Sequence, residues 1–196
     1  MGKFIAIEGM DGVGKTTIVR ELANRFSGHA MSTPGEGLAK SRQAVLEALA
    51  DDELAKALFY MASVSSQGRK AAYLVEQGKW VFMDRYCAST QAYAKARGVK
   101  SDLSILSKDM VKPDMTVLLL LDEAERQKRL DHRGSTPEDQ VTLDPDFRHC
   151  VSKELESRAD IAINIDGMTI DDVCTKLVGL IIDSNINELK CSLFDL

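Results

Sequence analysis

The residues with the clearest chemical meaning lie near the N-terminus. The segment Gly9-Met10-Asp11-Gly12-Val13-Gly14-Lys15-Thr16 matches the pattern G-x-x-x-x-G-K-[ST]. Its glycines let the loop curl so that backbone N–H groups point at phosphate oxygens. Lys15 would bridge the β and γ phosphates, and the Thr16 hydroxyl would coordinate Mg²⁺. The segment therefore predicts a nucleoside triphosphate site, with Thr17 as its last residue.

A second reactive pair follows the apolar run Trp80–Met83. Asp84 and Arg85 would lie at the carboxyl edge of a sheet, where α/β proteins bind ligands. The Asp84 carboxylate could hold Mg²⁺ through water, and the Arg85 guanidinium could clamp a phosphoryl group. Taken alone, the pair could also be a surface ion pair after an ordinary strand.

A basic stripe marks a third candidate. On the predicted helix Glu123–Arg133, residues Arg126, Arg129 and Arg133 recur at intervals of three and four and so share one face. Mobile arginines that close over ATP would supply positive charge to the phosphates and exclude water. We expect a lid at about 123–146. The alternative is a solvated helix face balanced by acidic neighbours.

These residues need a scaffold, and the sequence indicates an α/β sheet. Short apolar runs predict strands, and helical patterns lie between them. The predicted strands are Lys3–Glu8, Ala30–Thr33 (the weakest), Trp80–Asp84, Met115–Leu121 and Ile161–Ile165. The predicted helices are Lys15–Phe26, Gly37–Ala50, Asp52–Gln77, Ala88–Ala96, Leu103–Met110, Glu123–Arg133, Asp146–Ser157 and Thr169–Asp183. The expected architecture is the three-layer sandwich of a P-loop NTPase, with a parallel five-stranded sheet flanked by helices and a helical lid.

Local signals add detail at the helix ends. Asp122 followed by Glu125 predicts a capping box. The segment Ser135–Asp146, with two prolines and several acids, is typical of a mobile loop. The tail 184–196 receives no assignment.

Composition limits the class of protein. A chain of 196 residues, 44% hydrophobic and 28% charged, indicates one globular domain spanning 1–196. The net charge of −5 argues against nucleic-acid binding. The four cysteines form no CxxC pair, so neither a zinc site nor a disulfide framework is expected. We see no signal peptide and no membrane-spanning run, and expect a cytoplasmic protein with no membrane partner.

Taken together, the motifs resemble those of the thymidylate kinase family. The resemblance extends from about Lys3 to Ile181. Its matching segments are Phe4–Thr17, Phe59–Tyr60, Gly78–Tyr86 with Ser89 and Ala92–Tyr93, and Lys112–Asp114. The resemblance implies a nucleoside monophosphate kinase that uses ATP with Mg²⁺, and a homodimer built on helices flanking the sheet.

The family's residue roles can be transferred by position. The resemblance implies that Lys15, Thr16 and Gly14 bind the donor phosphates and that Asp84 helps to place the metal. Arg85 would contact the transferred or accepted phosphate. Asp11 would bind the acceptor's 3′-hydroxyl.

Three further positions would bind the acceptor nucleoside. Phe59 would stack on the base, Tyr93 would pack beneath the sugar and disfavour a 2′-hydroxyl, and Thr90 would touch the base. Without the resemblance, Phe59 and Tyr93 are each also compatible with simple core packing.

The chain departs from the family in its acceptor pocket. The segment Ser32–Gly37 replaces an Arg-Glu-Pro-Gly-Gly-Thr-like sequence, so the arginine that grips the acceptor phosphate is missing. Arg42 could reach back as a substitute. Ser63 stands where the family has the arginine that donates to the thymine 4-oxo group, and Ser65 replaces a usual glutamine. The identity of the base is therefore open.

The leading interpretation is phosphoryl transfer from ATP to a deoxynucleoside monophosphate, with dTMP as the default acceptor. A kinase of another or modified pyrimidine nucleotide, or of a small hydroxyl-bearing metabolite, would keep Lys15, Asp84 and Arg85. A non-catalytic nucleotide sensor would keep only the phosphate loop. A GTPase is disfavoured because no Asn-Lys-x-Asp segment is present.

Overall fold

The computed structural model of the protein describes the backbone of residues 1–134 and 140–194, and the side chains of 1–134 and 140–183. Its centre is a five-stranded sheet of order β2-β3-β1-β4-β5 in which every pairing is parallel. The strands are β1 Phe4–Glu8, β2 His29–Ser32, β3 Val81–Asp84, β4 Met115–Leu120 and β5 Ile161–Asn164. All five predicted strands are confirmed.

Helices connect consecutive strands and cover the sheet. They are α1 Lys15–Arg25, α2 Glu36–Ala39, α3 Arg42–Ala48, α4 Glu53–Glu76, α5 Cys87–Ala96, α6 Ser104–Ser107, α7 Glu123–Arg133, α8 Pro145–Glu156 and α9 Ile170–Phe194. No helix within the described ranges is long and apolar enough to cross a membrane. The predicted fold class is confirmed.

The observed helices differ from the predicted ones in their extent. The helix expected over Gly37–Ala50 is split into α2 and α3, and neither buries a side chain that would hold one continuous helix. The tail that received no assignment continues α9 as far as Phe194. The loop predicted at Ser135–Asp146 lies outside the described residues at 135–139, and its last two residues begin α8.

The capping box predicted at α7 is only half formed. The Asp122 carboxylate accepts hydrogen bonds from the backbone N–H groups of Ala124 and Glu125, at 2.9 and 3.3 Å. The Glu125 side chain does not accept a hydrogen bond from the Asp122 N–H, as a complete capping box would require. It accepts from Arg129 instead, and the Asp122 N–H donates to the carboxylate of Asp166.

The sheet register brings the polar strand ends to one edge. Strand β1 lies between β3 and β4 and is buried along its whole length, which explains its apolar sequence. Ile7 pairs with Asp84, and Ser32 pairs with Asp84 on the other side of β3. The segments that follow β1, β2 and β3 therefore begin side by side at the carboxyl edge.

Candidate active site

A cavity of about 840 Å³ opens at this carboxyl edge. It is walled by the loop after β1, the segment after β2, the start of α5, and the cavity-facing sides of α4 and α7. The predicted site residues that line it are Asp11, Gly12, Gly14, Lys15, Thr16, Thr17, Arg42, Asp84, Arg85, Thr90, Tyr93, Arg129 and Arg133. Residues predicted separately from four segments of the sequence thus line one cavity.

The loop between β1 and α1 has the backbone that phosphate binding requires. Gly12 and Gly14 adopt φ values of 91° and 96°, which disfavour any residue with a Cβ atom. A Cβ on Gly12 would also lie 3.1 Å from atoms of Arg126 and Leu130. Gly14 precedes α1, so the positive end of that helix faces the cavity.

Lys15 is buried beneath the loop. Only 6% of the residue is exposed, and its Nζ donates to the Met10 carbonyl at 2.8 Å. Burial, together with the Arg85 charge, lowers the pKa of Lys15 to about 8, although nearby carboxylates act in the opposite direction. An anionic ligand would stabilise the charged form of this lysine. Gly9, Met10 and Val13 are also buried, and the side chains of Met10 and Val13 belong to the core.

Thr16 and Asp84 form the oxygen pair that Mg²⁺ would need. The Thr16 hydroxyl donates to Asp84 Oδ2 at 2.5 Å. Among the residues that the structure describes, no three acidic, histidine or cysteine side chains are placed to hold a metal ion together. Two hard oxygen ligands fit Mg²⁺, which takes its remaining ligands from phosphates and water.

Arg85, Asp11 and Tyr93 form a hydrogen-bonded group beside the loop. Arg85 Nη2 donates to Asp11 Oδ1 at 2.7 Å, and the Tyr93 hydroxyl donates to Asp11 Oδ2 at 3.2 Å. The Arg85 guanidinium also lies 5.0 Å from the centroid of the Tyr93 ring. Burial would raise the pKa of Asp11, but the charges of Arg85 and Lys15 outweigh it and hold that pKa below its ordinary value. Asp11 is therefore an ionised acceptor.

The Arg85 backbone is constrained to present the side chain. Its φ of 63° is uncommon for a residue other than glycine. The Arg85 N–H donates to the Ile7 carbonyl at 3.1 Å, and its carbonyl accepts from the Thr33 hydroxyl at 2.9 Å. Neighbouring strands thus fix this conformation.

Glu8 is a positioning residue that the sequence reasoning missed. Its carboxylate is buried at the end of β1 and accepts from Tyr86 N at 2.9 Å, Ser89 N at 3.2 Å and the Ser89 hydroxyl. Burial raises the pKa of Glu8 above its ordinary value. Helix α5 has no side-chain cap of its own, so Glu8 caps it from another strand. The sequence signal that could have identified Glu8 is an acidic residue at the end of an apolar strand.

The basic stripe of α7 divides into two roles. Arg126 is 1% exposed and donates to Glu123, to Thr142 and to the Asp11 carbonyl at 3.0 Å. Its guanidinium is thus bound within the protein and does not line the cavity, and the ATP contact expected of Arg126 stays a prediction. Arg126 ties α7 to the phosphate loop. Arg129, paired with Glu125 at 3.1 Å, and Arg133 line the cavity, and their action on ATP stays a prediction.

The far end of the cavity differs more from expectation. Tyr60, not Phe59, lies on the wall, and the Arg42 Nε donates to the Tyr60 hydroxyl at 2.9 Å. Ser63 is buried on α4, where its hydroxyl donates to the Tyr60 carbonyl at 2.7 Å. Thr90 reaches the wall. Neither Phe59 nor Ser63 lines the cavity, so contacts of these two residues with the acceptor stay predictions.

A protein-family model described as thymidylate kinase matches residues 7–173 of the chain. The chain belongs to the thymidylate kinase family. That match includes the phosphate loop, Asp84–Arg85 and α7, so the enzyme class rests on the same residues that line the cavity.

Similar proteins carry the same family name. A probable thymidylate kinase of Thermococcus gammatolerans is 30% identical over 200 residues, covering 92% of this chain and 96% of the relative. A probable thymidylate kinase of Pyrococcus horikoshii is 30% identical over 196 residues, with the same coverage. The solved structure of the Candida albicans thymidylate kinase is similar with a TM-score of 0.76 at 26% identity, covering 95% of this chain and 93% of that one.

Within a thymidylate kinase, one cavity residue stands out because no motif predicted it. Arg97, the residue that ends α5, lines the cavity and lies 3.6 Å from Glu53 on α4. Neither residue belongs to a segment that carried the family resemblance. Only the packing of α4 against α5 brings them together.

Proposed function

We propose that this thymidylate kinase family member transfers the γ-phosphoryl group of ATP to dTMP, giving ADP and dTDP, with Mg²⁺ as the metal. The observation that carries the proposal is the convergence of Lys15, the Thr16–Asp84 pair and the Asp11–Arg85–Tyr93 group on one cavity. The relatives' shared name supports dTMP as the acceptor.

The donor side would work by charge and position. The loop N–H groups and the α1 terminus would hold the β and γ phosphates, and Lys15 would turn from the Met10 carbonyl to the phosphates. Thr16 and Asp84 would hold Mg²⁺, which supplies charge neutralisation at the phosphate oxygens when bound. Arg129 and Arg133 would add positive charge from the opposite wall.

The acceptor side needs no general base. A 5′-phosphate has a second pKa of about 6, so its oxygen is already an anionic nucleophile at neutral pH. A bond forms between that oxygen and the γ-phosphorus, while the bridging oxygen leaves with the electron pair on ADP. Arg85 would hold the two phosphates in line, and Arg42 would assist at the acceptor phosphate.

The sugar would be held by the Asp11–Tyr93 pair. The ionised Asp11 carboxylate can accept a hydrogen bond from the 3′-hydroxyl. The Tyr93 ring would lie against the sugar and leave little room for a 2′-hydroxyl. Thr90 would lie near the base.

A coupled ADP-release assay over the common nucleoside and deoxynucleoside monophosphates tests this proposal. We expect the highest kcat/KM with dTMP, and Mg²⁺ to be required. Lys15→Ala should lower kcat at least about 100-fold, because phosphoryl transfer depends on charge at the phosphates. Lys70→Ala removes an exposed lysine outside the cavity and should change kcat less than about twofold. No acceptor-dependent ADP release from the wild-type protein would refute the proposal.

Three further expectations accompany this proposal. The chain would act as one domain, and a lid at about 123–146, of which residues 135–139 lie outside the described ranges, would close over bound ATP. It would form a homodimer, which the family resemblance supports and light scattering at several concentrations would test. A cytoplasmic location and the lack of nucleic-acid and membrane partners remain predictions.

A further inference from the structure

The acceptor end of the cavity is a slot between two helices. One wall comes from α4 and the other from α5 and its last residue. At the end of the slot, Glu53 of α4 faces Arg97, one turn beyond Tyr93 on α5. Ala57 and Ala94 leave the space between them open.

The Arg97–Glu53 pair has unused hydrogen-bonding capacity. The 3.6 Å separation of Arg97 Nε and Glu53 Oε2 is an ion pair and too long for a hydrogen bond. Glu53 Oε1 accepts from Lys56 at 2.6 Å, whereas Oε2 is buried with no hydrogen-bond partner. Arg97 makes no side-chain hydrogen bond to any residue that the structure describes. Buried polar atoms are normally satisfied, so Glu53 Oε2 beside Arg97 can accept a hydrogen bond from a ligand in the cavity.

The position of the pair matches the base of a bound nucleotide. The Arg97 guanidinium lies 5.8 Å from the centroid of the Tyr93 ring, whose hydroxyl meets Arg85 and Asp11. Thr90 and Arg97 are two helical turns apart, or about 10 Å along the helix axis. A nucleotide with its phosphate at Arg85 and its sugar against Tyr93 would therefore direct its base along α5 toward Arg97.

We propose that Arg97, oriented by Glu53, recognises the acceptor pyrimidine in place of an arginine at position 63. The inference rests on the proposed function and adds a specificity-determining residue to it. The guanidinium would donate to a 4-oxo group while Glu53 Oε2 accepts from the adjacent N3–H. A 4-amino pyrimidine presents the donor and acceptor in the reverse order. Ser63 takes no part, because its hydroxyl is bound to the Tyr60 carbonyl.

Arg97→Met tests the proposal because methionine keeps much of the side-chain length but has no donor. We expect kcat/KM for dTMP to fall about 10- to 100-fold, mainly through KM, because a charge-assisted hydrogen bond is lost. Thymidine, which lacks the phosphate, should lose affinity by a similar factor in calorimetry. The value for dCMP should change less than about threefold, so the dTMP-to-dCMP ratio narrows.

The controls separate this role from others. Lys95 lies on the same helix, its side chain is 62% exposed, and it is paired to Glu154. Lys95→Met should therefore leave the dTMP-to-dCMP ratio of kcat/KM unchanged. Arg97→Lys keeps the charge without the planar fork and should give an intermediate loss of dTMP over dCMP preference. If Arg97→Met fails to fold by circular dichroism, the Lys variant decides.

Each alternative outcome has a distinct signature. Loss of dTMP affinity without loss of thymidine affinity would make Arg97 a phosphate contact and overturn the proposal. Equal losses for dTMP and dCMP would also overturn it, since they indicate a structural role. If the wild-type protein turns over no deoxynucleotide, the proposed function fails, and thymidine binding to wild type and variant still tests Arg97.

Discussion

At the scale of single residues, the cavity owes its properties to buried charges that compensate one another. Lys15 and Arg85 bring positive charge into the cavity, and the carboxylates of Asp11 and Asp84 compensate that charge. In this setting burial disfavours the charged state of each group, and its neighbours decide whether that state persists. The balance leaves Lys15 with a lowered pKa and Asp11 ionised, as expected for a site that binds a polyanion.

The lowered pKa of Lys15 predicts a pH dependence for ATP capture. Since burial and Arg85 lower that pKa to about 8, Lys15 loses its proton earlier than an ordinary lysine as the pH rises. We expect kcat/KM for ATP to fall about tenfold per pH unit above that pKa, because this parameter reports the free enzyme. Bound phosphates restore the charge, so kcat at saturating ATP should stay nearly flat to pH 9. A kcat/KM that is flat to pH 10 would contradict this assignment.

The Tyr93 ring predicts sugar selectivity. Tyr93→Ala should reduce the preference for a deoxynucleotide over its ribonucleotide by about tenfold, because it opens space at the 2′ position. Tyr93→Phe keeps the ring and loses only the hydroxyl bond to Asp11 at 3.2 Å, so it should keep the preference within about threefold. The ratio of kcat/KM values for dTMP and its ribonucleotide measures both. Equal behaviour of the two variants would remove the ring from sugar selection.

At the scale of elements, the site depends on how β1, β3 and α5 are joined. Glu8 at the end of β1 caps α5 by accepting from the N–H groups of Tyr86 and Ser89. Helix α5 carries Thr90 and Tyr93, and Arg97 ends it. One carboxylate therefore fixes the helix that forms a wall of the acceptor slot.

This arrangement predicts a stability effect at Glu8. Glu8→Ala should lower the free energy of unfolding by about 2–4 kcal/mol, because it leaves two buried N–H donors without an acceptor. Glu8→Gln keeps an acceptor oxygen and should cost less than about half as much. Urea unfolding followed by circular dichroism measures both values. Similar losses in the two variants would show that the charge of Glu8, and not its acceptor role, matters.

At the scale of the whole molecule, the two substrate sites share one cavity but use different walls. Ligands that bind only the folded state raise the unfolding temperature. At 100 times their dissociation constants, Mg–ATP and dTMP should each add about 2.7 kcal/mol, or roughly 5–10 °C for a chain of this length. In Lys15→Ala the ATP shift should shrink while the dTMP shift persists. Equal loss of both shifts would show that Lys15 supports the fold rather than the donor site.

Features whose chemistry is local can be predicted from the order of the residues. The phosphate loop needs a fixed glycine spacing beside one lysine, and that pattern can be read directly from residues 9–16. The five strands and the fold class followed from apolar runs that alternate with helical patterns. The thymidylate kinase family followed from the first loop together with the segment Gly78–Tyr86.

Which side chains face the cavity depends on how the helices and strands pack. Helical spacing assigned Arg126 and Arg129 to the same face of α7. Packing against the phosphate loop buried Arg126 and left Arg129 on the cavity wall. Phe59 and Tyr60 are neighbours in sequence, and the rotation of α4 selected Tyr60. Glu8 and Arg97 act on residues far away in the chain, and periodicity carries no information about such contacts. Interactions within one element can be predicted from spacing, whereas those between elements depend on how helices and strands pack.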